Sequence, residues 1–508
     1  MISTNRILLI SISAIFFVTV NIAIIFGIGS LVSYLNSGAD RSQMLHANIA
    51  RMVEYTPSVS WDLSNQSGKR IDNQSLGNIE RDYLNAWYTR HLSLLSNSVD
   101  IFGDYYTDKA KSDLIALIEN NRETGVKIEA TTTSHDLKFD FLSTDGHLAV
   151  FTDRRVKEFQ RVFKNEDLIS QSHYIGTYRI IMLLEDGFWR IRHMMLIEDS
   201  EEPAVTHAID SSELIENIKG INYYPQASPW DTFGHAFETE IISADFDIIK
   251  NAGLNTIRVF IQYEDFGKAE INDIKMERLQ RLLDKATEKN LKVILTLFDF
   301  YGDYSVLDWT RTLKHAEGIV EALKDHPAIL AWDIKNEPDL DFESRGKDNV
   351  INWLKIIIKK INDLDPSKPI TIGWANYKHA NNLSDVLDFI SFHYYGDIEK
   401  LPEIYSDMKQ EHPNKAVLLE EYGLSSYQGF WRPFGDDESD QADYHKSMQT
   451  IFKKNAIPFM SWTLYDFNKI PKEVVGRLPW RKRIQQRFGF IDLNGSPKKS
   501  FEYIATNQ

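Results

Sequence analysis

Hydrophobic and polar positions change rhythm three times along the chain. Residues 7–35 run without a charge. A bilayer crossing takes about 20 apolar residues, so residues 1–36 are expected to form a cytoplasmic tip and an uncleaved transmembrane anchor. A cleavable signal has an apolar region of about 7–15 residues and a small-x-small site; this run is longer and has no clear site. Arg6 and the amino terminus precede it and are expected to stay in the cytoplasm, placing the rest of the chain on the periplasmic or extracellular side of the cytoplasmic membrane. Residues 37–77 read as a linker, with a short helical pattern over 40–56 and a polar, glycine-containing stretch over 64–77. Two Asn-Gln-Ser sequons, at Asn65 and Asn73, matter only in a glycosylating host.

Over residues 78–203 the rhythm is first helical, then alternating. Ile79, Tyr83, Leu84, Trp87 and Leu92 fall at helical spacing, and a second helix is expected to open at Thr107. Two alternating stretches follow, each folded about an Asp-Gly pair, Asp145-Gly146 and Asp186-Gly187, which signals hairpins. Helices followed by a curved antiparallel sheet resemble the cone-shaped domains of the nuclear-transport-factor-like superfamily. The resemblance implies a cavity that binds small molecules or partners, and a spacer or protein-interaction role is expected. No catalytic pair is read here, and His193, alone on a strand, reads as structural.

From Gly220 onward, short apolar runs alternate with helical segments. The runs begin GINYYP, TIRVFIQY, KVILTLF and ILAWDIKNEP; then come PITIGWA, FISFHYYG, AVLLEEYG and PFMSWTLYDF. Such alternation predicts an α/β fold, a (β/α)8 barrel over residues 215–508. A doubly wound sheet is the alternative, but no glycine-rich phosphate loop follows the first run.

Composition narrows the function. The 508 residues are 43% hydrophobic, enough for large cores, and carry a net charge of -16, which argues against nucleic acid as a partner. There is no cysteine, so disulfides, thiolate metal sites and a cysteine nucleophile are excluded.

A barrel of this kind gathers its chemistry at the C-terminal ends of its strands. There the sequence places Arg258 on strand two, Asn336-Glu337-Pro338 at the end of strand four, and His393-Tyr394-Tyr395 at the end of strand six. Strand seven ends in Glu420-Glu421-Tyr422-Gly423, and strand eight carries Trp462. Pro338 cannot donate to a sheet ladder, so strand four is expected to stop beside Glu337. Two carboxylates at facing strand tips are what a retaining glycosidase needs, one as acid and one as nucleophile, about 5–5.5 Å apart. Arg258 is suited to hold the nucleophile charged and Tyr395 to donate a hydrogen bond to it; His393, two residues away, should point the same way.

These motifs, in this order, resemble the clan A glycoside hydrolases, particularly family five, over about residues 219–504. The resemblance implies Glu337 as acid/base, Glu421 as nucleophile before its aromatic neighbour, Asn336 at the sugar 2-hydroxyl, and substrate contacts from Arg258, His393, Tyr395 and Trp462. Glu420 is the rival nucleophile; strand alternation lets only one of the two reach the mouth. Many cellulases of the family carry a histidine where this chain has Phe298, and Asp299, Tyr301, Asp303 and Tyr304 look more like a mannanase loop.

Of the aromatic residues, Trp230, Trp374, Tyr395, Trp431 and Trp462 are candidate sugar platforms, while Trp332 reads as packing. Residues 435–440, GDDESD, lack calcium-loop spacing and read as a helix cap; residues 480–487, WRKRIQQR, read as a solvated helix face. Asp333 and Lys335 read as a buried structural pair. The expectation is a membrane-anchored, retaining β-glycoside hydrolase acting on a β-glucan- or β-mannan-type polysaccharide, with no metal or cofactor. A transglycosylase on the same scaffold and a non-catalytic carbohydrate-binding scaffold are the alternatives.

Overall fold

The computed structural model describes Thr19 and residues 55–202, 209–430, 432–476 and 478–505. The apolar run of residues 7–35 lies outside them apart from Thr19, as does Trp431. Among the described residues no helix is long and apolar enough to cross a membrane.

The first unit has two helices, Asn73–Ser96 and Asp108–Thr124, laid against four long antiparallel strands: Val126–Leu142, Leu148–Lys164, Asp167–Glu185 and Phe188–Glu201. The turn at Asp186-Gly187 has positive φ at both residues, 52° and 85°, the conformation a two-residue hairpin requires. Within the stretch read as linker the chain is ordered differently. Ser58–Asp62 adds a parallel strand beside Val126–Leu142, and the first helix opens at Asn73, capped by Asp72, whose side chain accepts from the Ser75 amide. That helix buries Ile79, Tyr83, Trp87, His91 and Leu94 rather than Leu84 and Leu92.

The same unit holds a buried acid–histidine pair that sequence reading missed. Asp153 accepts from His135 Nδ1 at 2.6 Å, from Tyr83 Oη at 2.8 Å and from the Asp136 amide at 3.1 Å. The partners come from the helix Asn73–Ser96 and the neighbouring strand Val126–Leu142, so Asp153 ties helix to sheet. Removing one member of a buried pair costs about 3–5 kcal/mol. Asp153→Ala is therefore expected to lower the stability of this unit by about that amount, read from the urea midpoint of tryptophan fluorescence.

The second unit is a closed parallel barrel. Its strands, one to eight, are Lys219–Asn222, Thr256–Gln262, Lys292–Asp299, Ile329–Asn336, Ile370–Trp374, Ile390–His393, Val417–Tyr422 and Phe459–Ser461. Each falls in a run read as a strand from sequence. Helices pack outside most crossings, but strands five and six are joined by a short 3-10 turn, Tyr377–His379, and loop. Ile294, Ala331, Leu418 and Met460 form a separate apolar cluster. They come from two neighbouring strand pairs, three with four and seven with eight, which face each other only across the inside of the ring, so this cluster is the barrel floor below the site.

The first unit packs on the barrel's flank. Phe159 packs on Trp309 with the rings tilted and 4.4 Å apart, and the Gln171 and Asn352 amides bond reciprocally at 2.8 and 3.0 Å. These barrel residues lie on the helices Trp309–Leu323 and Lys347–Leu364, which follow strands three and four.

Candidate active site

The registers explain how the strand ends aim their side chains. Strand seven pairs Leu419 with Phe392 but Glu421 with His393, so Glu420 is an extra residue on its strand. Alternation from the inward Leu418 would send Glu420 inward and Glu421 out. The irregularity breaks that alternation, and both carboxylates face Arg258, as bulges near active sites commonly re-aim a side chain. The expectation that only one of the pair reaches the interior is thereby corrected. Strand four has a similar shift between Asp333 and Asn336. Beyond it Glu337 takes a left-handed conformation, φ 49° and ψ 52°, which costs a non-glycine residue about 1–3 kcal/mol. Its amide donates to the Gly373 carbonyl at 2.7 Å, holding the turn against strand five.

Arg258 is the hub. Its Nη1 donates to Glu421 Oε1 at 2.8 Å and to Asn222 Oδ1 at 3.3 Å; its Nη2 donates to Asp333 Oδ2 at 2.5 Å and to Asn336 Oδ1 at 3.1 Å. Burial works against its charge, but Glu420, Asp333 and Glu421 outweigh it and keep the guanidinium protonated. Asp333 is held in turn by Thr296 Oγ1 at 2.6 Å and the Gly373 amide at 3.1 Å. The expected Asp333–Lys335 pair is corrected: Asp333 belongs to Arg258, and Lys335 faces Asp341 at 3.6 Å.

Glu421 receives a second hydrogen bond, at 3.0 Å from Tyr395 Oη to Oε2. Burial pushes its carboxyl up, while His393 and Arg258 pull it back toward ionisation. Tyr395 is 47% exposed, its ring on the rim against Phe488 while its hydroxyl reaches inward. Burial there, beside Glu421 and Glu337, keeps that hydroxyl a donor. His393 Nδ1 lies 3.2 Å from Glu337 Oε1 and 3.5 Å from Glu421 Oε2. Burial opposes charge on the ring, but Glu421, Glu337 and Glu420 outweigh it and raise the imidazolium to about 10.

Donor atoms of Glu337, His393 and Glu421 lie within 4.8 Å of one another, so an oxygen of each glutamate comes that close to its counterpart. Such a cluster is compact enough for a metal ion. An imidazolium has no lone pair to offer one at neutral pH, however, so the arrangement fits a cation poorly and a pair of working carboxylates well.

Trp462 joins Tyr224, Trp230 and Phe260 in an aromatic wall, with ring centroids 5.9–6.4 Å from it. Trp374 is fully buried and packs toward Phe342, which corrects its reading as a sugar platform. Tyr301 and Tyr304 are likewise core, around Trp353, and Phe298 packs with them. Asp437 and Asp440 form a capping box on the helix Glu438–Asn455, as GDDESD suggested. Three residues of the site were missed: Asn222, Asp333 and Gly373. The readable signal for Asp333 was an acid among apolar strand residues, two barrel strands away from an arginine.

Residues 216–468, which contain all eight barrel strands, match the family model described as Cellulase (glycosyl hydrolase family 5). Human β-glucuronidase is 25% identical over 296 residues, which cover 53% of this chain and 42% of the human protein. The chain thus spans less than half the length of the curated relatives it matches. Among solved structures, an exo-β-1,4-mannosidase from Opitutaceae bacterium strain TAV5 aligns with a TM-score of 0.47 and 20% identity, over 56% of this chain and 57% of the other. A β-glucuronidase from Bacteroides uniformis aligns with a TM-score of 0.47 and 13% identity, over 74% and 49%. The family-five match thus falls on the barrel, and the matched family and the curated relatives are glycoside hydrolases.

Proposed function

We propose that the protein is a retaining β-glycoside hydrolase that acts on a β-linked glycan by double displacement. Glu421 is the nucleophile and Glu337 the acid/base. Glu421 attacks the anomeric carbon while Glu337 protonates the departing oxygen. Glu337, now a carboxylate, then takes a proton from water, which releases the sugar from Glu421. Arg258 and Tyr395 hold the nucleophile from two sides, Asn336 binds the sugar 2-hydroxyl, and Trp462 offers its ring to the sugar. The observation that carries this reading is the approach of the two carboxylates to within 4.8 Å, the short separation of retaining enzymes rather than the 6.5–9.5 Å of inverting ones.

The wider setting belongs to the same proposal. The run of residues 7–35 anchors the chain, and the first unit, nuclear-transport-factor-like in its order of helices and strands, stands as spacer or interaction module between anchor and barrel. The substrate is then a glycan outside the cytoplasmic membrane. The purified protein should be incubated with β-glucans and β-mannans, and also with β-glucuronides because the curated relatives carry that name. Release of a sugar whose anomeric configuration is retained, followed by NMR, is the expected result. Binding of these glycans without cleavage of any would replace the hydrolase with a carbohydrate-binding scaffold.

A further inference from the structure

Beneath the two working carboxylates lies a third that the mechanism does not use. Glu420 is completely buried, and neither of its oxygens has a hydrogen-bond partner. Its neighbours are cations: Arg258 Nε stands 3.5 Å from Oε1 and His393 Nε2 stands 3.8 Å from Oε2. A buried carboxylate is kept ionised only by such pairing. His393 Nε2 also has no hydrogen-bond partner, and the carboxylate it faces is Glu420 at 3.8 Å.

The ring is therefore faced by carboxylates on both edges. Nδ1 looks up at Glu337 and Glu421, and Nε2 looks down at Glu420. A neutral imidazole would turn one lone pair toward a carboxylate; only the imidazolium presents an N–H to each side. Around it also stand Arg258 on strand two, which Asp333 of strand four neutralises in part, and the titratable hydroxyl of Tyr395, two residues beyond its own strand. The space for this arrangement comes from strand five. A Cβ on Gly373 would lie 2.6 Å from Glu420 Oε2, 2.6 Å from Arg258 Nη2 and 3.0 Å from His393 Nε2.

We propose that Glu420 is a positioning residue: from below it holds His393 as an imidazolium whose Nδ1–H faces the acid/base and the nucleophile together, across the bare backbone of Gly373. This rests on the reading of Glu337 and Glu421 given above. Its value to the reaction lies in charge balance. Before attack the negative charge is on Glu421 and the proton on Glu337. When the Glu421–carbon bond forms and the glycosidic bond breaks, the proton leaves with the departing oxygen and the charge now sits on Glu337. One fixed Nδ1–H, 3.2 Å from one carboxylate and 3.5 Å from the other, serves both states without moving.

The test is Glu420→Gln in the full-length protein, with kcat/KM followed against pH on an aryl β-glycoside that the wild type cleaves. Loss of the lower negative charge makes the imidazolium easier to deprotonate. The alkaline limb of the profile should therefore move to lower pH by about one unit or more, with KM little changed on the acid side of that limb. Glu420→Asp keeps the charge and should restore most of the limb. An NMR titration of the His393 ring, in whichever of the two variants folds, should show a lowered midpoint in Glu420→Gln or a near-wild-type one in Glu420→Asp. A Glu420→Gln profile lowered evenly at every pH, or a His393 titration that ignores the charge at residue 420, would overturn the proposal. Failure of the active-site reading is a different result, since it would appear as turnover surviving Glu421→Gln.

Discussion

Glu421→Gln should lower kcat/KM on an aryl β-glycoside by about 10⁴-fold or more, equivalent to about 5 kcal/mol of transition-state stabilisation. The amide keeps the shape of the carboxylate; its oxygen can still accept from Arg258 Nη1, and its NH2 can donate to Tyr395 Oη once that hydroxyl turns from donor to acceptor. What it loses is the charge that attacks the sugar, so the loss belongs to chemistry and not to folding. Stability should hold or rise, because Glu420, Glu421 and Asp333 crowd one guanidinium and removing a charge eases that crowding. Two measurements check this: kcat/KM, and intact mass after exposure to a 2-fluoro glycoside, which should label the wild type at Glu421. Glu420→Gln should cost far less on the acid side of the alkaline limb. If the label or the larger loss falls on Glu420, the assignment of nucleophile is reversed.

That assignment is also where sequence and structure differ most usefully. The eight strands were legible because each is a short apolar run bounded by turn residues, and buried parallel strands read that way. Arg258, Asn336, Glu337, His393, Tyr395 and Glu421 were legible because they stand at strand ends, where barrel topology concentrates chemistry. The alternation rule then misled. It holds for a regular strand, and strands four and seven both carry register shifts near their C-terminal ends. A bulge leaves little trace in a single sequence, so the inward turn of Glu420 and Glu421 together could not be read. Asp333, Asn222 and Gly373 were missed for another reason. Asp333 and Asn222 act through Arg258, which reaches them from a different strand, and Gly373 acts through its backbone, which meets Glu337 and Asp333 of strand four. His135 and Asp153 are similar, eighteen residues apart on neighbouring strands and brought together only by hairpin register. Trp374 erred the other way: its strand-end position suggested a platform, but its ring is turned into the core.

Glu337 offers the second large effect, and two substitutions there separate chemistry from backbone. Glu337→Ala and Glu337→Gly both remove the proposed acid/base. On glycans and other substrates with poor leaving groups, each should lower kcat/KM by about 10²–10⁴-fold. On an aryl glycoside whose leaving group needs no proton the first step should survive, the second should become limiting, and added azide should restore turnover by attacking the glycosyl–Glu421 ester. Loss that azide cannot relieve would take the acid/base role from Glu337. The two variants should differ in stability, because Glu337 stands at φ 49°, a left-handed conformation that alanine tolerates poorly and glycine adopts freely. Glu337→Gly should therefore exceed Glu337→Ala by about 1 kcal/mol in urea unfolding. Equal stabilities would mean that the turn between strand four and Pro338 relaxes once its side chain is gone. A gain for glycine would mean the backbone is held against its own preference by Pro338 and the Gly373 carbonyl. The strain then belongs to function: it carries the carboxylate off the line of strand four and over the mouth, within reach of Glu421.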